Sequence, residues 1–459
     1  MSMRRRSFLK LLATSSAAAA FPSLVRAETL GGNGGVAASN RITMGIIGLG
    51  SQGILHLRNN LSNPALQIVA LCDVDRERLA AARGVMKSGY ADRTASGEFS
   101  GAQETQDFRE VLARADVDTV LCALPDHWHA LPVILAVQAG KDVFTEKPFS
   151  LTIAEGRAMV DAVRRAGAVC QVGSQQRSGR SFRRAVELAR SGALGRITRV
   201  EVGLPGRYNL PQLTAPLAPQ QVPEGFDYEF WLGPAPWAPY YKERCRTFFR
   251  FNYDYSGGQL TDWIGHHFDI ANWALGMNFT GPVAIREAQA EFWDSPLYDT
   301  PMKFSFEAHY AGGAAIRVTS QDEAGRYEIG EIFNDSDGGI FLEGSEGWVR
   351  VGRARMAFSS PRLQALVLPS DGFRLDDPEQ TSRPSHMENF LHCVRTRETP
   401  VASAEEGHRT ATVAHLANIA FRTGRRELHW DPDREVILDA PEASRLLARA
   451  YRAPWQLPT

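Results

Sequence analysis

The sequence predicts an α/β protein whose first half is a parallel, doubly wound sheet of the dinucleotide-binding class. Three observations carry this. The short apolar run of "RITMGIIGLGSQG" ends in Gly48-x-Gly50-x-x-Gly53 and leads into an amphipathic stretch. Asp73 closes the next apolar run, 20 residues after Gly53. A strand before, a helix after and an acidic residue at that distance make the glycine spacing specific, where alone it would be weak. Strand-length apolar runs then alternate with helix-length segments, the pattern of parallel strands joined by helical crossovers.

The elements follow in chain order. Gly48 permits the tight turn, Gly50 lets a pyrophosphate approach the backbone, and Gly53 lets the helix pack on the strand; the helix N-terminus, from Ser51 and Gln52, then faces the phosphates. Asp73 ends "QIVALCDVD". It can accept hydrogen bonds from ribose hydroxyls and would repel a 2′-phosphate, so NAD is expected over NADP, with Arg76 and Arg78 close by. "VDTVLCALP" and "HWHALPVILAVQAG" read as strand and helix, as do "KDVFTEKP" and "TIAEGRAMVDAVRRAG", then "AVCQVGSQQR" and "SGRSFRRAVELARSG". Ligands bind at the carboxyl ends of such strands. Pro125, His127 and His129, then Glu146 and Lys147, then Gly173 to Arg177 are therefore expected to crowd one crevice, with Arg177 toward the substrate.

The chain opens with MSMRRRSFLK, in which Arg5 to Lys10 fits the twin-arginine export pattern, followed by an alanine-rich run and a small-residue cleavage site at Val25-Arg26-Ala27. The apolar run is short for a membrane span and is interrupted by Thr14, Ser15, Ser16 and Pro22. Residues 1–27 are expected to be the signal and 28–40 a flexible lead-in. That route carries folded proteins, often with a cofactor in place, so a periplasmic or extracytoplasmic protein with tightly bound cofactor is expected. The formal net charge of −1 gives no reason to expect nucleic acid or an anionic membrane surface. The five cysteines lack motif spacing, which argues against a disulfide framework and a zinc ribbon; Cys72, Cys122 and Cys170 read as small buried hydrophobes.

After residue 196 the pattern changes. Residues 204–256 are rich in Pro, Tyr, Trp and Phe with few periodic signals. A loop of this kind is either a substrate-enclosing segment or a structural cover over the sheet. Strands are expected near 283–293, 302–310, 314–320 and 327–333 and in "GGIFLEGSEGWVRV", and two helices between 383 and 423. His386, His392, His408 and His415 on those helices read as structural, because none has a spaced partner.

"GGQLTDWIGHHFDIANWALG", residues 257–276, concentrates two acids, two adjacent histidines and two tryptophans. Asp262 and His266 are four apart, so one helix would stack them on one face. A buried pair, a metal site and an acid/base pair are all possible. No second ligand cluster at metal spacing accompanies it, so no metal is expected. Histidine suits removal of a hydroxyl proton near neutral pH, with Asp262 orienting the imidazole. His267 points about 100° away and takes a secondary, substrate-side role. Asp269, on nearly the same face as Asp262, is a candidate for a substrate hydroxyl.

The set GIIGLGSQG, Asp73, "ALPDHWHA", "EKP" at 146–148 and Asp262-x-x-x-His266 resembles the Gfo/Idh/MocA oxidoreductases in order and spacing over nearly all of the chain after the signal. The resemblance implies a Rossmann domain, placed here at 41–165. It implies a second α+β domain with an open, mostly antiparallel sheet, placed at 166–430, that often forms a subunit interface, hence a homo-oligomer; 431–459 is left as a C-terminal extension. It also implies Lys147 at the nicotinamide, polarising the reacting oxygen, with Asp262 and His266 supplied by the second domain. Asp126 stands where many relatives carry asparagine, and "HWH" resembles the NAD-dependent glycosidase branch. The expected function is NAD-dependent oxidation of a ring hydroxyl on a sugar, sugar derivative or cyclitol. The alternatives are a redox-neutral glycoside-cleaving enzyme and a sugar sensor, the latter opposed by the retained Lys147, Asp262 and His266.

Overall fold

The computed structural model describes residues 40–205, 210–211, 213, 217–321, 337–366 and 385–458. The expected export signal, the lead-in up to residue 39 and the strand expected at 327–333 lie outside the described residues.

Six parallel strands form the first sheet: β1 (Ile42–Ile47), β2 (Leu66–Cys72), β3 (Gln103–Thr105), β4 (Thr119–Cys122), β5 (Asp142–Thr145) and β6 (Cys170–Val172). Their spatial order is β3-β2-β1-β4-β5-β6. The order reverses between β1 and β4, and a crevice opens outside the strand ends at such a switch point. Helices α1 (Ser51–Asn60), α2 (Arg76–Gly89), α3 (Ala130–Gln138) and α4 (Ile153–Ala166) make the crossovers. α4 begins with a capping box between Thr152 and Glu155 and ends on Gly167 in the left-handed region, which is why the periodic pattern stops there. β6 pairs with β5 through Val143–Cys170 to Thr145–Val172. The first domain therefore runs past Val172, and the expected boundary at 165 moves.

The second sheet has nine strands in the order β13-β12-β11-β7-β10-β9-β8-β14-β15. Central are β7 (Ile197–Leu204), β8 (Ala284–Phe292), β9 (Pro301–His309), β10 (Ala315–Ser320), β11 (Gly339–Gly344) and β12 (Gly347–Val351); β13 (Met356–Phe358), β14 (Leu428–Asp431) and β15 (Val436–Ile437) make the edges. All its pairings are antiparallel except β7 with β10. Inward residues such as Phe304, Phe306 and Ala308 alternate with half-buried Ser305 and Glu307, the period-2 signature of a sheet covered on one side. Its core is closed by α5 (Arg180–Arg190), α6 (Gly258–Ile264), α7 (His267–Ala274) and α9 (Ala404–Arg422).

α8 (His386–Thr396) and α9 pack back on the first domain. Met387, Phe390 and Leu391 join Phe144, and Ala404 and Ala411 join Val172. His386 Nε2 donates to Val172 O at 2.8 Å and His415 Nε2 to Ser150 O at 3.0 Å; burial pushes their imidazoles down to about 4 and about 3. These two, like the buried His408 that meets Glu435 at 2.8 Å, are structural. All five cysteines are buried and unpaired. No helix among the described residues is long and apolar enough to cross a membrane.

Candidate active site

The crevice begins at the glycine turn. Gly48 has φ 91°, and a Cβ there would lie 2.3 Å from Ala123 O. A Cβ on Gly53 would lie 1.9 Å from Gly48 O, so any side chain would push α1 off β1. At Gly50 the nearest atom is Arg78 Nη1 at 3.4 Å, so its backbone faces the crevice. α1 starts at Ser51 without a side-chain cap, leaving the N–H groups of its first turn for an anion. These features fit a bound pyrophosphate. Asp73 is buried; its Oδ2 accepts from Leu49 N–H (2.7 Å) and its Oδ1 from Asp75 N–H (2.9 Å). Burial pushes its carboxyl up, against the nearby Arg78 and the two N–H donors. Asp73 thus braces the turn as well as edging the adenosine end.

Two adjoining cavities make up the crevice. The adenosine-side cavity, ≈ 510 Å³, is lined by Gly48, Asp73, Arg78, Trp128, Phe230 and Trp231 among others. The other, ≈ 850 Å³, runs from Gly50, Ser51 and Gln52 past Pro125 and Asp126 to Glu146, Lys147 and Arg250.

At the far end Glu146 accepts from His56 Nε2 (2.7 Å) and Gln175 Nε2 (3.0 Å) through Oε1. Burial pushes its carboxyl up, but the hydrogen bond and charge of His56 and the charge of Lys147 outweigh it and hold the carboxyl low. Lys147 Nζ donates to Asp262 Oδ1 at 2.5 Å, and Arg250 Nε lies 3.2 Å from the same oxygen. Against burial, these two cations hold Asp262 well below the ordinary carboxylate value. His266 is 8% exposed, and its Nδ1 is buried without a hydrogen-bond partner. Burial, with Lys147 and Arg353 nearby, pushes its imidazole well below the ordinary value. It stands neutral at pH 7.

The single helix expected across Asp262 and His266 is two. α6 ends at Ile264, Gly265 caps it, and His266 begins α7 with φ −106° and ψ −73°. A Cβ on Gly265 would lie 3.1 Å from Lys147 Cβ, so the junction of the two helices passes close against the lysine. Asp262 accordingly binds Lys147 and Arg250 rather than orienting the imidazole.

Other expected site residues turn inward. His127 Nε2 donates to Trp231 O (2.8 Å) and His129 Nε2 to Leu124 O (2.9 Å); both are buried, whereas Pro125 lines the crevice. His267, fully buried, donates from Nε2 to Asp337 O (2.7 Å), and burial pushes it down to about 4. Arg177, 1% exposed, grips Asp269 by two bonds of 2.6 and 2.8 Å and Glu406 by one of 2.6 Å. Thr410 also donates to Asp269. Arg177 and Asp269 form a closed ion-pair cluster joining α7 and α9 behind the crevice, not an open substrate contact. The desolvation of two ions is tolerated only when their lone pairs and protons are satisfied in this way.

Comparisons with known proteins bear on this geometry. A family model described as "Oxidoreductase family, NAD-binding Rossmann fold" matches residues 42–174, and "Oxidoreductase family, C-terminal alpha/beta domain" matches 181–457. The chain belongs to the Gfo/Idh/MocA oxidoreductase family. A scyllo-inositol 2-dehydrogenase (NAD(+)) of Bacillus subtilis is 24% identical over 398 residues, 84% of this chain and 95% of that one. A glycosyl hydrolase family 109 protein of Shewanella pealeana is 26% identical over 160 residues, about a third of each chain (35% and 34%). The fold matches the crystal structure of the WlbA dehydrogenase from Bordetella pertussis in complex with NADH and UDP-GlcNAcA, with a TM-score of 0.59 at 20% identity, covering 85% of this chain and 99% of that one.

As a member of this family the protein is an NAD-dependent oxidoreductase acting on CH–OH. Sequence reading missed Arg250 and Phe249, which reach the crevice from a segment with no periodic signal, and His56, which supports Glu146 from within α1. Arg78, expected near Asp73, lines both cavities. Asp126 is buried, which pushes its carboxyl up, and it is stabilised by His129, Ser256 and Arg250.

Proposed function

We propose that the protein oxidises a ring hydroxyl of a sugar, sugar derivative or cyclitol, using NAD that stays bound between turnovers. The observation that carries this is the cluster at the inner end of the crevice: Lys147 Nζ on Asp262 Oδ1 at 2.5 Å, with neutral His266 beside it. When bound, the nicotinamide supplies the hydride acceptor. Lys147, which lines the crevice, holds the reacting oxygen by a charged hydrogen bond. His266 takes the hydroxyl proton, and being neutral it is ready to do so. Asp262, kept ionised, positions Lys147 and offsets the charge that arises when His266 is protonated. The Pro/aromatic segment supplies Trp231, Thr247, Phe249 and Arg250 to the crevice wall, which supports its reading as a substrate-enclosing loop.

The twin-arginine pattern at Arg5 to Lys10 supports export in the folded state. Outside the cytoplasm there is no free NAD pool, so the cofactor is recycled in place by a second substrate. The open nine-stranded sheet supports a homo-oligomer through its outer face. Redox-neutral glycoside cleavage remains the second class, but its supporting "HWH" segment has both histidines turned into the core.

The experiment is mass spectrometry of the purified, denatured protein together with titration of the emptied one. NAD(H) is expected to leave with it. Asp73→Ser is expected to narrow the preference for NAD over NADP by roughly tenfold, the scale of one buried polar group. A folded preparation that holds no dinucleotide and takes none up, or equal affinities in the unaltered protein, would contradict this.

A further inference from the structure

Residues 449–457 cross from the second domain to the wall of the adenosine-side cavity, a contact that the chemistry above does not use. Trp128 and Phe230 line that cavity together with Gly48, Asp73 and Arg78. Their rings stack, with centroids 5.3 Å apart and planes at 10°. Trp455 abuts both edge-on, at 4.8 and 5.4 Å, and the Arg109 guanidinium lies 5.6 Å from the Phe230 and Trp455 centroids. Arg452 ties the same region down. Its backbone N–H donates to Pro234 O (2.9 Å), its Nε to Gly233 O and Ala235 O (3.1 Å each), and its guanidinium pairs with Glu229. Tyr451 O–H donates to Glu155 Oε1 on α4 at 2.6 Å. Gly233 has φ 52°, and a Cβ there would lie 2.1 Å from the Trp128 ring, so residues 225–235 form a strap that passes close against the indole.

The strap is stitched at its other end to the chain just beyond β2. Arg76 N–H donates to Gly225 O (3.1 Å) and Asp227 N–H to Val74 O (2.9 Å). Gln106 Nε2 reaches both Val74 O and Gly225 O. Residues 225–235 thus lie across the adenosine end, and lifting them breaks the Arg452 bonds and the Trp455 contacts together.

We infer that the C-terminal segment is a latch on the dinucleotide: Trp455 and Arg452 are positioning residues that hold the Trp128–Phe230 wall and the 225–235 strap closed, and so set the rate at which the cofactor leaves. This rests on the crevice being the NAD site. It explains how a cofactor can stay bound where none is available for exchange.

The test follows release of NADH from the full-length protein by stopped-flow fluorescence with excess NAD as the chase. Trp455→Ala and Arg452→Gln are each expected to speed release roughly tenfold, the scale of lost aromatic contacts or hydrogen bonds. Trp455→Phe restores slow release, and turnover at saturating NAD is unchanged in all three. Arg452→Gln leaves the ring stack in place, so it decides the matter even if Trp455→Ala does not fold. Unchanged release from a folded Arg452→Gln, or a rise in release matched by an equal fall in saturated turnover, would overturn the latch. An unaltered protein that binds no NADH would remove both the latch and the cofactor reading; one that binds NADH and releases it equally from every variant would remove the latch alone.

Discussion

Replacing His266 with alanine is expected to slow single-turnover reduction of bound NAD at least about 100-fold, the usual scale of general acid–base assistance, with NAD binding retained. Lys147→Ala should do the same, because its ammonium is the group that meets both the crevice and Asp262. Asp262→Asn should cost about as much as Lys147→Ala. It breaks the ion pairs that Lys147 and Arg250 both make with the Asp262 carboxylate. Had Asp262 only oriented the imidazole, its loss would cost less. The pH profile carries the same information. Burial and the neighbouring cations hold His266 well below the ordinary imidazole value of 6.5, so the acid limb of kcat/KM should lie below that pH. The base is lost only as pH falls through the depressed value. A limb at the ordinary value, or full single-turnover rates without His266, would assign the base elsewhere.

Arg177→Met is expected to destabilise the fold by about 3–5 kcal/mol, the cost of removing one partner from a buried ion pair. Arg177 is 1% exposed and binds Asp269 and Glu406 together, so its loss strands two carboxylates that had shared its charge. Denaturant unfolding of the NAD-loaded protein measures this. A residue that bound substrate would instead raise KM and leave the unfolding midpoint in place, and that result would return Arg177 and Asp269 to the substrate site.

The strands and crossovers were legible because buried parallel strands are continuous apolar runs, and because the glycine turn demands residues that nothing else can replace. Gly48 and Gly53 sit where a Cβ would collide with the chain, as their spacing implied, and Asp73 follows directly on β2 at the crevice. The inner end of the crevice was legible only as a set of residue types. Asp262 and His266 suggested one helix face, but the helix ends at Ile264, beside Lys147, and the carboxylate goes to the lysine. A sequence period carries no information about such a contact. His127, His129, His267, Arg177 and Asp269 looked functional because polar residues at strand ends and on amphipathic helices look alike whether they face a ligand or a buried partner. Arg250 and the C-terminal latch were invisible for a different reason. Both lie in segments whose composition has no period, and the latch acts on residues more than 200 positions earlier in the chain.

The most direct test of the account is the absorbance at 340 nm when the NAD-loaded protein is mixed, without an acceptor, with a panel of sugars and cyclitols. The account predicts that at least one substrate raises the absorbance, that the rise holds until an acceptor is added, and that it is lost in the His266 and Lys147 variants. A glycoside cleaved over many turnovers with no lasting change in absorbance, and with solvent deuterium entering the carbon next to the oxidised position, would contradict it.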